Sequence, residues 1–135
     1  MSELDKTTPV PTEIKLHQLS RRLEITFNNG TRFELPYEFL RVYSPSAEVR
    51  GHGPGQEVLQ VGKKDIAIKG IEPVGSYAVT LTFSDGHDTG IYSWDYLYEL
   101  GANYVALWGR YVNRMEAAGA SREPLAGAPE RPKAK

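Results

Sequence analysis

The sequence predicts an α+β domain, a mainly antiparallel sheet with helices packed on it. Short runs of alternating apolar and polar residues, separated by turn residues, predict strands, and apolar residues spaced by three and four predict a helix over 103–118. Two stretches, 26–40 (TFNNGTRFELPYEFL) and 82–97 (TFSDGHDTGIYSWDYL), share the order strand, turn, strand, helix start. They predict two ββα-like units, which arise either from internal duplication or from chance similarity between hairpins.

Length, charge and composition exclude several classes of protein. The 135 residues suffice for one domain with a real core. Cysteine is absent, which excludes disulfides, zinc–thiolate sites, cysteine-ligated iron–sulfur clusters and a thiol nucleophile. The net charge of −1, from 16 basic and 17 acidic residues, argues against general attraction to nucleic acid or an anionic membrane. Because no apolar run approaches the ~18 residues of a membrane span and no signal region is visible, we expect a soluble cytoplasmic protein.

Turn and cap residues delimit the predicted elements. Asn-Gly at 29–30 and Asp-Gly at 85–86 supply the positive φ angles of hairpin turns, and Pro36 and Ser93 are suited to open helices. In order, the predicted elements are strands 14–18, 23–27 and 32–35, helix 37–43, an edge strand 57–62, strands 66–71, 77–83 and 89–92, helix 94–100 ended by Gly101, and helix 103–118 ended by Gly119. The domain arrangement expected from these elements and from composition is a flexible leader over 1–12, a folded domain over 13–118 and a disordered tail over 119–135.

Residues 44–56 (SPSAEVRGHGPGQ) predict a long loop, since two prolines and three glycines would disrupt a helix or a central strand. A loop of this length in a compact domain is either functional or mobile. Its glycines would let the backbone near His52 approach a ligand, and the plainer interpretation is a flexible connector. The sequence GHGPG is not a phosphate-binding loop, because it lacks the Gly-Lys-Ser/Thr ending.

His87 follows the second turn and is flanked by Asp85 and Asp88. A histidine beside carboxylates suits zinc or iron, provided that further ligands converge on it. A turn histidine that hydrogen-bonds locally is favoured instead, because His17, His52 and His87 show no helical ligand spacing. No serine has a nucleophile-elbow pattern and no paired-carboxylate motif is legible, so the sequence shows no catalytic constellation.

Aromatic residues are dense in the second half of the chain. Such side chains can stack on bases or anchor a protein partner, but the near-neutral charge favours packing in the core. Tyr96 and Tyr98 are the two that could instead form an exposed protein contact. The full set is Tyr92, Trp94, Tyr96, Tyr98, Tyr104, Trp108 and Tyr111.

Two motifs taken together, LRVYSPSAEVRGHGPGQ (40–56) and SDGHDTGIYSWDYLYELG (84–101), resemble the gamma-butyrobetaine hydroxylase-like N-terminal domain family. The resemblance covers about residues 14–115. The family includes small bacterial proteins of unknown function, and its module also stands at the front of gamma-butyrobetaine and trimethyllysine hydroxylases and is fused to P-loop ATPases of iron–sulfur cluster assembly. The iron and 2-oxoglutarate residues belong to the hydroxylases' other domain, which we do not expect in a chain of this length.

In the hydroxylases, the module carries a structural zinc bound by a Cys-x-Cys-x-x-Cys cluster and a histidine. On this chain, the resemblance puts the cysteine positions at Ser44, Ser46 and Val49 and the histidine at His87. Hydroxyls are poor zinc ligands and valine cannot ligate, so we expect the family's zinc site to be absent. The resemblance also implies that the two segments meet, and we expect His87 to pin the turn against the 44–56 loop by a hydrogen bond.

These observations favour a non-catalytic module that binds a protein partner, with an oxygenase or an iron–sulfur assembly factor as the context that the resemblance implies. The alternative is a metal-binding protein, with iron or zinc held by His87 together with His52 or Asp85. An enzyme would need a pocket with convergent polar groups, which the sequence does not show. The expected binding surface combines the loop with the turn, through Ser44, Ser46, Arg50, His52, Asp85 and His87.

Overall fold

The computed structural model describes residues 8–51 and 57–123, and within them it contains two antiparallel sheets and four helices. The elements are β1 (Pro11–His17), β2 (Arg22–Phe27), β3 (Arg32–Pro36), α1 (Tyr37–Val42), α2 (Ala47–Arg50), β4 (Ile68–Val74), β5 (Ala78–Phe83), β6 (Ile91–Ser93), α3 (Trp94–Ala102) and α4 (Tyr104–Ala117). Each sheet has three strands in sequence order, β1-β2-β3 and β4-β5-β6. The predicted α+β class is confirmed, with two small antiparallel sheets.

The two hairpins form where the turn residues predict them. Gly30 and Gly86 adopt φ angles of 90° and 89°, which residues with a Cβ rarely adopt. Each glycine N–H donates to the carbonyl of the last strand residue, Phe27 or Phe83, at 2.9 Å. In β2 and β5 buried residues alternate with partly buried ones, so each sheet has one apolar face. The order strand, turn, strand, helix therefore occurs twice.

One hydrophobic core joins both sheets to α1 and α3. A buried tyrosine needs a partner for its hydroxyl, and two tyrosines of this core donate to backbone carbonyls. Tyr92 donates to the carbonyl of Leu40 at 2.6 Å, and Tyr96 donates to that of Tyr43 at 2.6 Å. Tyr98 packs edge-on against two phenylalanine rings. The prediction that the aromatic residues belong to the core is confirmed for Tyr92, whereas Tyr96 and Tyr98 are half-buried and pack against the core from its edge.

The long helix α4 has nearly the predicted bounds. Its buried residues, Tyr111 and Met115, lie one turn apart and face a small second core around Val42. Val105, although apolar, is 82% exposed. It follows Tyr104 by about 100° around the helix, which carries it off the stripe that packs on the domain.

Two expectations for the middle of the chain are wrong. The 44–56 loop contains a short helix, α2, which Ser46 caps by accepting a hydrogen bond from the N–H of Glu48 at 3.1 Å. Residues 57–62 form no strand. The N–H of Val58 donates to the carbonyl of Val49 at 2.8 Å, so this segment follows α2 and does not join a sheet edge.

Gly101 does not end a helix as predicted, since it lies inside α3 and Asn103 caps that helix. A Cβ at position 101 would stand 2.4 Å from ring carbons of Phe33. Glycine is therefore present for close packing of α3 against β3, and its helix-ending tendency is overridden by that contact.

The described chain extends beyond the predicted domain limits at both ends. β1 begins within the expected leader, and Gly119, at φ 65°, ends α4 as predicted. The chain then returns to the domain, where the N–H groups of Gly62 and Lys64 donate to the carbonyls of Ser121 and Arg122 at 2.9 Å. Among the helices that the structure describes, none is long and apolar enough to cross a bilayer.

Candidate functional site

His87 joins the second hairpin to the segment that follows α1. Its side chain is buried, with the residue 7% exposed. The Nε2 atom lies 2.8 Å from the Oγ of Ser44, and Nδ1 lies 2.9 Å from Oε1 of Glu48. Because a carboxylate only accepts, Nδ1 carries the proton and Nε2 accepts from the Ser44 hydroxyl. This is the hydrogen bond between turn and loop that we expect of His87 from the sequence.

A second contact holds the same two segments together. The hydroxyl oxygens of Ser46 and Thr89 lie 2.7 Å apart. At Gly90 the backbone comes so close to the loop that a Cβ would stand 2.4 Å from the Oγ of Ser44. We call the five polar residues at this junction the histidine corner. They are Ser44, Ser46, Glu48, His87 and Thr89.

The chain of contacts Ser44, His87, Glu48 has the hydrogen-bond geometry of a nucleophile, a base and an orienting acid. In a catalytic site of that kind the nucleophile is accessible and the orienting acid is buried, and the opposite holds here. Ser44 is 1% exposed, so a substrate carbonyl has no access to its hydroxyl, whereas the Glu48 side chain is 63% exposed. Close packing of Gly90 against the Ser44 hydroxyl closes that side as well. The arrangement supports a structural role for the three residues.

Asp85 anchors the turn next to the histidine corner through three donors. Lys63 Nζ and Arg41 Nε donate to Oδ2 at 2.6 and 2.9 Å, and the backbone N–H of His87 donates to Oδ1 at 3.1 Å. Burial by itself raises the pKa of Asp85. The hydrogen bonds from Lys63 and from the His87 backbone, with the charge of Arg41, outweigh burial and lower that pKa to about 2. At neutral pH Asp85 is therefore ionised, and both of its carboxylate oxygens already accept hydrogen bonds.

His87 itself is neutral at neutral pH. Burial lowers its pKa, and the nearby charge of Arg41 lowers it further, while the Glu48 carboxylate acts in the opposite direction. A neutral imidazole has one donor and one acceptor, which matches its two partners in the histidine corner.

The residues present do not fit the structural zinc of the hydroxylase modules. The positions that the resemblance aligns with the zinc ligands do meet, but Ser44 offers a hydroxyl already bonded to His87, and Val49 is a buried apolar side chain. Over 8–51 and 57–123, no three or more His, Asp or Glu side chains are grouped so that they could hold a metal ion. His52, the other proposed ligand, lies outside the described residues. The donor groups of the described residues therefore support neither zinc nor iron at this junction.

An open cavity of about 570 Å³ lies beside the histidine corner, and the sequence did not predict it. Three arginines line it, Arg50 from α2 and Arg110 and Arg114 from α4. We call this cavity the arginine pocket. Its other lining residues are Val42, Tyr43, Ser44, Val49, Gly51, Glu57, Val58, Gln60 and Tyr96.

Of the residues expected to form a binding surface, Arg50 is exposed and lines the arginine pocket, with its guanidinium 5.1 Å above the ring centre of Tyr96. Ser44, Ser46 and His87 are buried, and Asp85 is half-buried in its ion cluster. Arg50 is therefore the exposed member of this set, while the buried residues hold the loop in position.

Sequence reasoning missed the two arginines of α4 and the partners of Asp85. The signal for Arg110 and Arg114 is present in the sequence, because they stand four residues apart with no acidic residue three or four positions from either. Such a pair repels mildly within a helix unless something else compensates its charge. Arg41 and Lys63 lie 44 and 22 residues from Asp85, and no local pattern indicates either contact.

Fold and site together define a small α+β module of two ββα units, in which a hairpin histidine is bonded to the loop after the first helix. A family model described as gamma-butyrobetaine hydroxylase-like, N-terminal, matches residues 14–98. The chain belongs to this family, and the resemblance inferred from the two motifs is confirmed.

Solved structures agree with this assignment. Two NMR solution structures of proteins are 53% and 44% identical to this chain, each with a TM-score of 0.76, covering 97% and 92% of it and 98% of their own length. A crystal structure of a protein of unknown function from Acidithiobacillus ferrooxidans, of the DUF971 family, is 38% identical with a TM-score of 0.60. It covers 73% of this chain and 99% of its own. No curated protein matches the sequence.

Proposed function

We propose that this chain is a protein-interaction module with no catalytic chemistry of its own. The observation that carries the proposal is a contrast between two neighbouring sets of polar groups. Both ring nitrogens of His87 are engaged within the histidine corner, whereas the adjoining arginine pocket is open to solvent. Groups bonded within the protein hold the backbone in place, and exposed arginines and tyrosines are the residue types that dominate protein contacts.

The partner is proposed to be an oxygenase or an iron–sulfur cluster assembly factor in the cytoplasm. This context comes from the family alone, whose modules occur joined to proteins of both kinds. A stand-alone module would supply in trans the surface that a fused module supplies in cis. The chemistry would then belong to the partner.

The proposal is tested by cross-linking in the native host. The tagged chain is purified after cross-linking, captured proteins are identified by mass spectrometry, and each candidate is then tagged and used to recover this chain. We expect one protein to be recovered in both directions at a constant ratio. The matched control is Lys69→Glu, which makes the same change of charge at an exposed position outside the arginine pocket.

The control variant should retain the partner, and Arg50→Glu should lose it. Absence of any reciprocal partner would contradict a role as an interaction module. If Arg50→Glu retained the partner, the interaction role would stand, but the binding surface would lie outside the arginine pocket.

A further inference from the structure

The arginine pocket combines positive charge with apolar surface in a chain that is close to neutral overall. Three arginines and one glutamate, Glu57, line it, which leaves a local excess of two positive charges against a net −1 for the chain. None of the three arginines forms an ion pair with a carboxylate in the part of the chain that the structure describes. No carboxylate of the described residues therefore neutralises the positive charge of the pocket through an ion pair.

The arginines approach the pocket from two different elements. Arg110 and Arg114 stand on successive turns of α4, and Arg50 stands at the end of α2, where the ring of Tyr96 supports its guanidinium. Because Ser46 caps α2 and His87 bonds to Glu48, the element that carries Arg50 is held against the second hairpin. An anion that contacts Arg50 and the α4 pair together would bridge the two elements.

Five of the nine other lining residues are apolar or aromatic, and the remaining four are Ser44, Gly51, Glu57 and Gln60. Val42, Val49 and Val58 contribute aliphatic surface, and Val58 is among the most exposed large apolar residues of the described chain. Tyr43 and Tyr96 have their hydroxyls bonded to backbone carbonyls, so they present ring surface to a ligand. A small inorganic anion would use the arginines and leave this apolar half unmatched.

Two other occupants fit less well. Nucleic acid binding needs a basic surface that follows a phosphate backbone over many charges, and the chain as a whole is slightly acidic. A second copy of the chain would need an acidic apolar surface complementary to the pocket, and sedimentation tests whether the chain supplies one. A peptide segment with carboxylates beside an apolar or aromatic side chain matches both halves of the pocket.

We propose that the arginine pocket binds an acidic linear segment of the protein partner, with its carboxylates on Arg50, Arg110 and Arg114 and an apolar side chain against Val58 and the tyrosine rings. This inference rests on the proposed function and specifies the chemistry of the partner. Arginine suits the role because its planar guanidinium can bind a carboxylate through two parallel hydrogen bonds.

The experiment is a selection from a display library of random peptides against the purified full chain. Enriched peptides are synthesised, together with versions in which Asp and Glu become Asn and Gln, and binding is followed by fluorescence anisotropy at low and high salt. The test variant is Arg110→Glu with Arg114→Glu, and the matched control is Lys15→Glu with Lys69→Glu. Circular dichroism melting of both variants confirms that each is folded.

We expect the enriched peptides to be richer in Asp and Glu than the library. We expect the test variant and the amide versions to bind at least about tenfold more weakly, while the control variant is unchanged and salt weakens binding. Enriched peptides without acidic residues, or equal binding to the test variant, would overturn the acidic-segment assignment. Because the cross-linking experiment does not depend on peptide composition, the broader interaction role would survive that result.

Three further outcomes also count against the proposal. Failure to enrich any peptide would do so, as would full displacement of the peptide by citrate at the same concentration, which would indicate a small-anion site with no use for the apolar half. Self-association of the wild type that the test variant loses, measured by sedimentation, would assign the pocket to a second copy of the chain.

Discussion

Glu38 and Arg122, 84 residues apart in the sequence, form a two-point ion pair. Arg122 Nε donates to Oε2 of Glu38 at 2.8 Å, and Nη2 donates to Oε1 at 2.7 Å. The Glu38 side chain is 6% exposed, and Tyr111 donates a third hydrogen bond to it at 3.2 Å. The pair ties the segment after α4 back to α1. Arg122 supplies the cation that the buried Glu38 carboxylate needs.

Replacing Arg122 tests how much the domain depends on that segment. We expect Arg122→Met to lower the free energy of unfolding by about 2 to 4 kcal/mol, because it leaves the buried Glu38 carboxylate without its cation. Urea denaturation measures the loss. The control is Glu123→Gln, which removes only the exposed ion pair with Lys64 and should cost nothing measurable. Equal losses in both variants would contradict a specific role for the buried pair.

The Asp85 cluster predicts a defined pH dependence of stability. Its folded pKa of about 2 lies below the ordinary value of 3.8, so the unfolded state takes up the proton first as the pH falls. The resulting stabilisation, about 2 kcal/mol, is fully present above pH 3.8 and is lost as the pH falls toward 2. We expect Asp85→Asn to be less stable than wild type at neutral pH and the difference to shrink below pH 3.8. Urea curves measured across this range check it.

Asp88→Asn is the matched control for the Asp85 experiment, because Asp88 is exposed and lies three residues further along the same segment. It should change neither the stability nor its pH dependence. Stability curves of wild type and Asp85→Asn that run parallel down to acidic pH would show that the carboxylate is not stabilised by Lys63 and Arg41.

The metal alternative is decided by the metal content of the purified protein. Since both ring nitrogens of His87 are bonded within the protein, we expect far less than one zinc or iron per chain, in wild type and in His87→Ala alike. We also expect added zinc to leave the thermal midpoint unchanged. A stoichiometric metal that His87→Ala loses would establish the metal-binding alternative.

The contacts between Ser44, His87 and Glu48 invite a direct test for a reactive serine. We expect a fluorophosphonate probe to leave Ser44 unmodified under conditions that fully label a serine hydrolase, because the hydroxyl is enclosed by Gly90 and by its own loop. Peptide mass spectrometry reports the modification. An adduct at Ser44 that His87→Ala abolishes would overturn the non-catalytic proposal.

Two helical glycines should respond to alanine with opposite signs. Gly101→Ala would place a Cβ 2.4 Å from the ring of Phe33, so we expect a loss of about 1 to 3 kcal/mol from overpacking. Gly109 lies in α4 with nothing within 4 Å of a built Cβ, so Gly109→Ala should gain about 0.5 to 1 kcal/mol. Thermal melting of the two variants gives the comparison. Losses in both would show that α4 needs its glycine for a reason other than space.

Local signals were sufficient for the hairpins and for most helix bounds. An Asn-Gly or Asp-Gly pair determines its turn through the φ angle that glycine allows, and Ser93 caps α3 through a bond to the N–H of Tyr96 only three residues away. The prediction for Gly101 was wrong because a tertiary contact with Phe33 overrode a local tendency. Glycine's role there depends on a neighbour 68 residues earlier in the chain.

The candidate site was predictable only in part. The meeting of Ser44 with His87 followed from the family resemblance, since no pattern within either motif indicates it. The arginine pocket needed the packing of α4 against the loop, which depends on contacts such as Tyr43 with the carbonyl of Leu107, 64 residues away. The lack of acidic neighbours around Arg110 and Arg114 was visible in the sequence, but it pointed to no particular surface.

The histidine corner makes the junction between loop and turn independent of metal supply and of the redox state of the cell. A junction held by cysteine thiolates around an ion depends on the supply of that ion and opens when oxidants attack the sulfur. Here an imidazole bonded to a hydroxyl and a carboxylate makes the connection, and none of these groups needs a reductant or a delivered ion to form it. The loop that carries Arg50 would therefore keep its place during oxidative stress and zinc starvation, conditions that dismantle thiolate-ligated junctions.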